Sequence, residues 1–272
     1  MFQLKKLVLA TLISSSVFFS QAAVAAPVDL SQETKQYQTF VVEQIDELVK
    51  GTEQFVTALK TGKVEEAKKL YPLIRMYYER SEPIAESFGD LDPRIDAREA
   101  DLEENQIWSG FHKIEKILWT ENTTKGTEQI ADQLLNDVKE LRAKVPTVEV
   151  TGDLMVQGAV DLLNEVSTSK ITGEEEIFSH TDLYDFKANV EGAEKIYQIL
   201  RAKLAQKDEK LVKELDKQFA NVNVLLDKYR VGENGYKAYT ELSKQDTREL
   251  AEAVNKLGEP LAHMGVILDE SN

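Results

Sequence analysis

A histidine and a glutamate stand three residues apart in the stretch Asn105-Gln-Ile-Trp-Ser-Gly-Phe-His-Lys-Ile-Glu-Lys-Ile-Leu-Trp119. On a helix, His112 and Glu115 share one face. Trp108, His112, Glu115 and Trp119 then form one stripe, and Ile107, Phe111, Ile114 and Leu118 form an apolar stripe beside it. An imidazole and a carboxylate carried on an inner face need a partner there: a cation, a hydrogen-bond network or a ligand. Glu79, Glu82 and Glu86 share a face upstream, and Asp90, Asp92 and Asp96 surround Pro93 in the turn that follows. The ordinary roles of such groups are a solvated acidic face and helix capping. Because the segments are sequential, an antiparallel pair brings these carboxylates toward His112. One imidazole with several carboxylates is a hard, oxygen-rich donor set.

A second acidic group lies in 170–185, which contains Glu174, Glu175, Glu176, His180 and Asp182 between two helices. Its composition places it facing the site. One of Glu174, Glu175, Glu176 and His180 is expected to approach the His112–Glu115 helix as a ligand or supporting hydrogen-bond partner, and Asp182 is a further supporting candidate. His263 reads as a packed or surface side chain.

The elements that must position these groups are helices. Glycine and proline number only 13 and 6, there is no cysteine, and no glycine-rich phosphate loop or persistent strand alternation occurs. Val41, Ile45, Leu48, Phe55 and Leu59 mark a helix over 31–60. Further helices are expected over 64–88, with a kink or break at Pro72 or Pro83, then over 97–119 and 127–144. The second half is expected to carry helices over 151–167, 183–205, 209–229 and 247–268. This is an all-α chain of two four-helix bundles, 26–146 and 147–272, divided near Pro146.

Lys5-Lys6, the apolar run Leu7–Phe19 and Ala23-Val24-Ala25 together form a secretory signal over 1–25. Its removal takes Lys5 and Lys6 away, leaving 31 basic residues against 48 acidic ones and a formal charge of −17. That charge excludes nucleic acid and anionic membranes as partners. With no cysteine to carry a lipid, the expected location is the periplasm, as a soluble protein.

Several separated motifs carry a family resemblance. They are Gly110-Phe-His-Lys-Ile-Glu-Lys-Ile-Leu-Trp119, the stretch Tyr78 to Pro93, Lys170-Ile-Thr-Gly-Glu-Glu175, Ser179-His-Thr-Asp-Leu-Tyr-Asp-Phe-Lys-Ala-Asn189 and Asp227-Lys-Tyr-Arg230. In order and spacing the chain resembles the imelysin-like, EfeO/EfeM-type proteins of the Efe iron-uptake system, in the short form that lacks a cupredoxin domain. The resemblance implies a cleft between the bundles and a metal site on the HxxE motif, with His112 and Glu115 as first ligands and Glu79, Glu82 and Asp96 after them. It implies iron as the ion, with zinc, copper, manganese or calcium as alternatives. The implied partners are an inner-membrane iron permease and a periplasmic peroxidase, and the implied role is binding and delivery rather than catalysis. Relatives described as peptidases or alginate binders supply two other readings. The first lacks support in His112-Lys-Ile-Glu-Lys116, which has no second histidine of HExxH or HxxEH type. The second meets charge repulsion unless a cation bridges protein and polymer.

Overall fold

The computed structural model describes residues 28–269, so the expected signal over 1–25 lies outside the described residues. Helix α1, Ser31–Lys60, buries Tyr37, Val41, Ile45, Leu48, Phe55 and Leu59 at three- and four-residue steps, with Thr52 completing the stripe. A turn at Gly62 leads to α2, Val64–Glu79, which runs unbroken through Pro72. The expected helix over 64–88 ends here. Glu82–Phe88 is a separate 3-10 segment, with Pro83 in its first turn and Ile84 off helical geometry at φ −116°. Pro83 has no N–H to continue the ladder, whereas the ladder absorbs Pro72.

A short helix α3, Leu91–Asp96, comes next. The expected helix over 97–119 is the largest departure, because only its second half is helical. Residues 97–110 form an irregular loop with one 3-10 turn, Glu99–Asp101. Two side chains fold it back: the Trp108 indole N–H donates to the Ala97 carbonyl at 2.7 Å, and Ser109 Oγ to the Arg94 carbonyl at 2.8 Å. Ile107, assigned to the apolar stripe by spacing, is 87% exposed as a result. Helix α4, Phe111–Lys116, then continues into a π turn, Ile117–Glu121.

The remaining helices are α5, Glu128–Lys144; α6, Gly152–Thr168; α7, Asp182–Ala205; α8, Glu209–Asp227; and α9, Lys244–Asp269. A two-residue hairpin, β1 Arg230–Val231 and β2 Gly235–Tyr236, was not anticipated. Helix α1 packs on α2 and α5, α9 on α6 and α8, and α7 on α2, α6 and α8. A continuous apolar cluster runs through both halves of the chain, from Tyr37 to Leu268.

The break after α2 is pinned by two close approaches. A Cβ at Gly158 of α6 would lie 1.7 Å from the Pro83 carbonyl oxygen, and one at Gly192 of α7 would lie 2.6 Å from that of Arg80. Both helices therefore press backbone against the point where the chain turns toward the site. Gly258, inside α9, meets only the Asn164 side chain at 3.4 Å. Alanine should act with opposite sign at two helical glycines. Gly158→Ala is expected to lower stability by about 1–3 kcal/mol through overpacking. Gly258→Ala should be neutral or gain up to about 1 kcal/mol from helix propensity. Chemical denaturation of the two variants checks this, and equal effects would contradict the close approach.

Candidate metal centre

Arg75 is the innermost charge. It sits on α2, one turn after Tyr71 and one before Glu79, so the apolar stripe of that helix carries it into the core with no exposed surface. Its guanidinium lies beside two rings that meet edge to face, 5.8 Å from the Tyr71 centroid and 5.6 Å from that of Phe111. Nη2 donates to Glu79 Oε1 at 2.6 Å and Nη1 to Asp96 Oδ1. Nε lies 2.5 Å from Glu176 Oε1 and 3.7 Å from Asp185 Oδ1. A guanidinium cannot shed its proton, so a buried one holds carboxylates around it.

His112 lies beside this group, buried at the start of α4. Gly110 makes the placement feasible: its φ is +88°, and a Cβ there would lie 2.2 Å from the Ile95 carbonyl oxygen. The end of α3, with Asp96, thereby abuts the beginning of α4. Glu115 Oε2 lies 3.2 Å from His112 Nδ1, while Glu115 Oε1 accepts the backbone N–H groups of Phe178 and Ser179 at 3.1 and 2.7 Å. Glu115 thus ties α4 to the connector and orients the imidazole. On the opposite side of the ring, Nε2 is buried without a hydrogen-bond partner, 3.5 Å from Asp96 Oδ1 and 3.7 Å from Glu175 Oε1.

Two triads of donor atoms share this histidine, Asp96–His112–Glu175 and His112–Glu115–Glu176, each with its atoms within 4.8 Å of one another. In the second triad both oxygens of Glu115 and the Oε2 of Glu176 already have partners. Besides Glu115, Glu176 Oε2 accepts from Tyr71 Oη at 3.0 Å and Ser179 Oγ at 3.1 Å. The first triad has the free nitrogen and borders a 420 Å³ pocket whose lining includes Glu82, Asp92, Asp96, Asp161, Glu165 and Glu175, with Arg98 at its side. Oxygen donors around one imidazole suit a hard or borderline cation.

Of the residues singled out by sequence, Asp96, His112, Glu115, Glu175 and Glu176 converge. Glu79 and Glu82 do not pair with His112. They hold Lys170, whose Nζ lies 3.2 Å from Glu79 Oε2 and 2.9 Å from Glu82 Oε2, and Asn189 Nδ2 donates to both at 2.9 and 2.7 Å. Glu174 pairs with Arg98 at 3.0 Å. Asp182 accepts the Glu176 backbone N–H at 3.1 Å and so shapes the connector. His180 contributes through its backbone: at φ +58° it turns the chain, donating its N–H to the Glu176 carbonyl at 2.7 Å and accepting from Tyr239 N at 2.8 Å. Its ring makes no polar contact with the cluster. Arg75, Lys170, Tyr71, Asp185 and Asn189 were missed. Arg75 had a signal, a basic residue inside the Tyr71, Ile74, Tyr78 stripe; Lys170, in a 3-10 turn, had none.

Seven buried or nearly buried carboxyls (Glu79, Glu82, Asp96, Glu115, Glu175, Glu176 and Asp185) face two fixed cations and one imidazole. Burial pushes Glu176 and Asp185 well above the ordinary carboxyl range, against the pull of Arg75, and does the same to Glu82 against Lys170. Asp96 is pushed up by burial to about 6, with Arg75 opposing. Glu175 is held well below its usual range although burial opposes this, because Lys170 and His112 outweigh it. For His112, burial and the Arg75 charge act downward, yet Glu115, Glu175 and Asp96 prevail and raise it to about 9. The cluster is short of positive charge, and it retains protons to compensate.

The imelysin family model (Peptidase_M75) matches residues 33–264. A protein of Staphylococcus haemolyticus strain JCSC1435, named as an Efem/EfeO family lipoprotein, is 55% identical over 244 residues, covering 88% of this chain and 85% of its own length. One of the same name from Staphylococcus aureus strain NCTC 8325 is 55% identical over 245 residues, covering 89% and 86%.

The raised His112 pKa sets a pH dependence. A histidine lifted from 6.5 to about 9 contributes stability that is complete below pH 6.5 and is lost as the pH rises through about 9. The thermal midpoint of the ion-free protein is expected to fall across that window. The loss attributable to this group is no more than about 1.4 kcal/mol per pH unit, and it should shrink in His112→Gln. A wild-type midpoint that stays level over the window would refute the assignment.

Proposed function

The chain belongs to the imelysin family, and from that premise we propose that it is the ion-binding component of an Efe-type iron-uptake system, holding iron at His112 Nε2, Asp96 and Glu175 for delivery to a membrane permease. One observation carries the reading. A buried imidazole nitrogen with no hydrogen-bond partner stands near two carboxylate oxygens, in a cluster with surplus negative charge, and those two carboxylates, Asp96 and Glu175, line an acidic pocket. A cation there relieves both the orphaned nitrogen and the charge imbalance. The names of the Staphylococcus relatives support the assignment to the Efe system.

Within this reading Glu115 orients rather than ligates. Its carboxylate holds the proton on Nδ1, so the proton displaced when the ion binds is the one on Nε2, which frees that lone pair as is usual for histidine ligands. Glu79 and Glu82 serve to keep Lys170 and Arg75 in place. The acidic pocket provides the entry, concentrating cations by its field. We further propose that the chain divides near Pro146 into two helical lobes with the pocket between them, and that it acts in the periplasm beside an inner-membrane permease and a peroxidase. The relatives are named lipoproteins, and the 272 residues here include no cysteine. Among the described residues no helix is long and apolar enough to cross a membrane.

The peptidase reading draws on the family's name. It needs a general base free to reach a water. Glu115, the acid of the motif, has both oxygens engaged by the imidazole and by two backbone N–H groups.

Titration of purified protein with Fe(II) under anaerobic conditions and Fe(III) in air, with Zn, Cu, Mn and Ca for comparison, tests the proposal. Tight binding of iron is expected for the wild type, with near-complete loss in His112→Ala and in the pair Asp96→Asn, Glu175→Gln. Glu115→Gln should weaken affinity about 10- to 100-fold, as loss of an orienting partner does. If His112→Ala binds iron as the wild type does, the site is elsewhere.

A further inference from the structure

We infer that Arg75 is a built-in counter-cation that changes partners when the ion arrives, releasing Asp96 and moving onto Asp185; this rests on the carrier reading above. The oxygen that Arg75 Nη1 holds, Asp96 Oδ1, is the same one that lies 3.5 Å from His112 Nε2. An ion seated on that nitrogen and that oxygen places like charge against the guanidinium, and Asp96 cannot serve both equally well. Arg75 therefore occupies, in the ion-free protein, part of the negative field the ion would use.

The structure provides a second receptor. Asp185, in the first turn of α7, is 1% exposed, and neither of its carboxylate oxygens has a hydrogen-bond partner. Its Oδ1 lies 3.7 Å from Arg75 Nε, which is 2.5 Å from Glu176 Oε1 without the geometry of a hydrogen bond. A buried carboxyl with no hydrogen bond, this close to a guanidinium whose Nε is poorly aligned with its nearer neighbour, is a contact within reach. The Tyr71 and Phe111 rings, set at 73° to one another with centroids 6.1 Å apart, form an aromatic wall beside the guanidinium at 5.8 and 5.6 Å, so both partners are reached from the same place in the core. The bond from Nη2 to Glu79, on the same helix, can hold the group throughout. Asp96 belongs to the N-terminal half of the chain and Asp185 to the C-terminal half, so the exchange transfers an ion pair from one half to the other.

Arg75 acts here through Asp96 and does not touch the ion. Its charge lowers affinity and speeds release, which suits a protein that must hand its cargo on. Asp185 acts in the opposite sense, because it gives Arg75 somewhere to go.

The test is iron binding, by equilibrium titration and by release into a chelator, in Asp185→Asn, Arg75→Met and the double variant. Asp185→Asn should keep or raise the ion-free thermal midpoint, since it removes a buried carboxyl with no hydrogen bond, and should weaken iron binding about tenfold. Arg75→Met should lower the ion-free midpoint, yet bind iron about tenfold tighter and release it more slowly. In the double variant the Asp185 effect should vanish, because its partner is gone. A purely structural role would weaken binding in both single variants. If Arg75→Met does not fold, Asp185→Asn and the structure of iron-loaded wild type decide. Arg75 within hydrogen-bond distance of Asp185 and away from Asp96 is the expected arrangement; an intact Arg75–Asp96 bond in the loaded protein overturns the inference. Should the wild type bind and Asp185→Asn match it, the exchange falls and the carrier reading stands. Should the wild type bind no iron, the carrier reading falls and takes the exchange with it.

Discussion

A guanidinium with no exposed surface, surrounded by carboxylates from four separate segments, is the constraint on which this molecule depends. Arg75 cannot lose its charge, and the helix that carries it has no other face to present, so compensating anions must come to it. They come from one turn along α2 (Glu79), from the end of α3 (Asp96), from the connector after α6 (Glu176) and from the first turn of α7 (Asp185). Each is attached to a different part of the chain. Charge compensation at Arg75 and the docking of the two halves are therefore one event, and Lys170 repeats the pattern by holding Glu79 and Glu82.

The compensation overshoots. More carboxyls are gathered than Arg75, Lys170 and His112 can neutralise, and burial raises several of them so that they keep protons. A core optimised for stability alone would replace such groups by apolar ones of similar volume. Retaining them makes sense where a further cation is to be accepted and later given up. The geometry around His112 agrees with this: one nitrogen is fixed by Glu115, and the other is left bare near Asp96 and Glu175 at the edge of the acidic pocket. A π turn, Ile117–Glu121, follows α4 directly after the motif and is closed by Asn122 in the left-handed region.

Glu115 illustrates how a short motif acquires its meaning from elsewhere. Spacing alone puts it beside His112, but its second oxygen is held by the backbone of Phe178 and Ser179, more than sixty residues away. That contact depends on the turn at His180 and on Asp182 capping the Glu176 N–H. The connector is thus shaped to present Glu175 and Glu176 to the imidazole.

Much of this was legible in the sequence. Helical periodicity over 31–60, 128–144 and the four later helices is local, because burial of a stripe at three- and four-residue spacing is satisfied by any apolar neighbour. The pairing of His112 with Glu115 is local too, and so survives even though the helix begins only at Phe111. The acidic connector declared itself by composition. What sequence could not decide is where local options compete. The loop over 97–110 has helical propensity, but tertiary hydrogen bonds from Trp108 and Ser109 and the close approach at Gly110 prevail over it. Glu79 and Glu82 looked equivalent to Asp96 as carboxylates. Their roles diverge because Lys170, distant in sequence, pairs with them and leaves Asp96 and Glu175 beside the free nitrogen. Residue types and their order determined that a histidine and a surplus of carboxylates would meet; which of them stand beside the imidazole's unpartnered nitrogen was decided by the packing of the two halves, since ion pairing in a core depends on distances of a few ångströms that no spacing along the chain encodes.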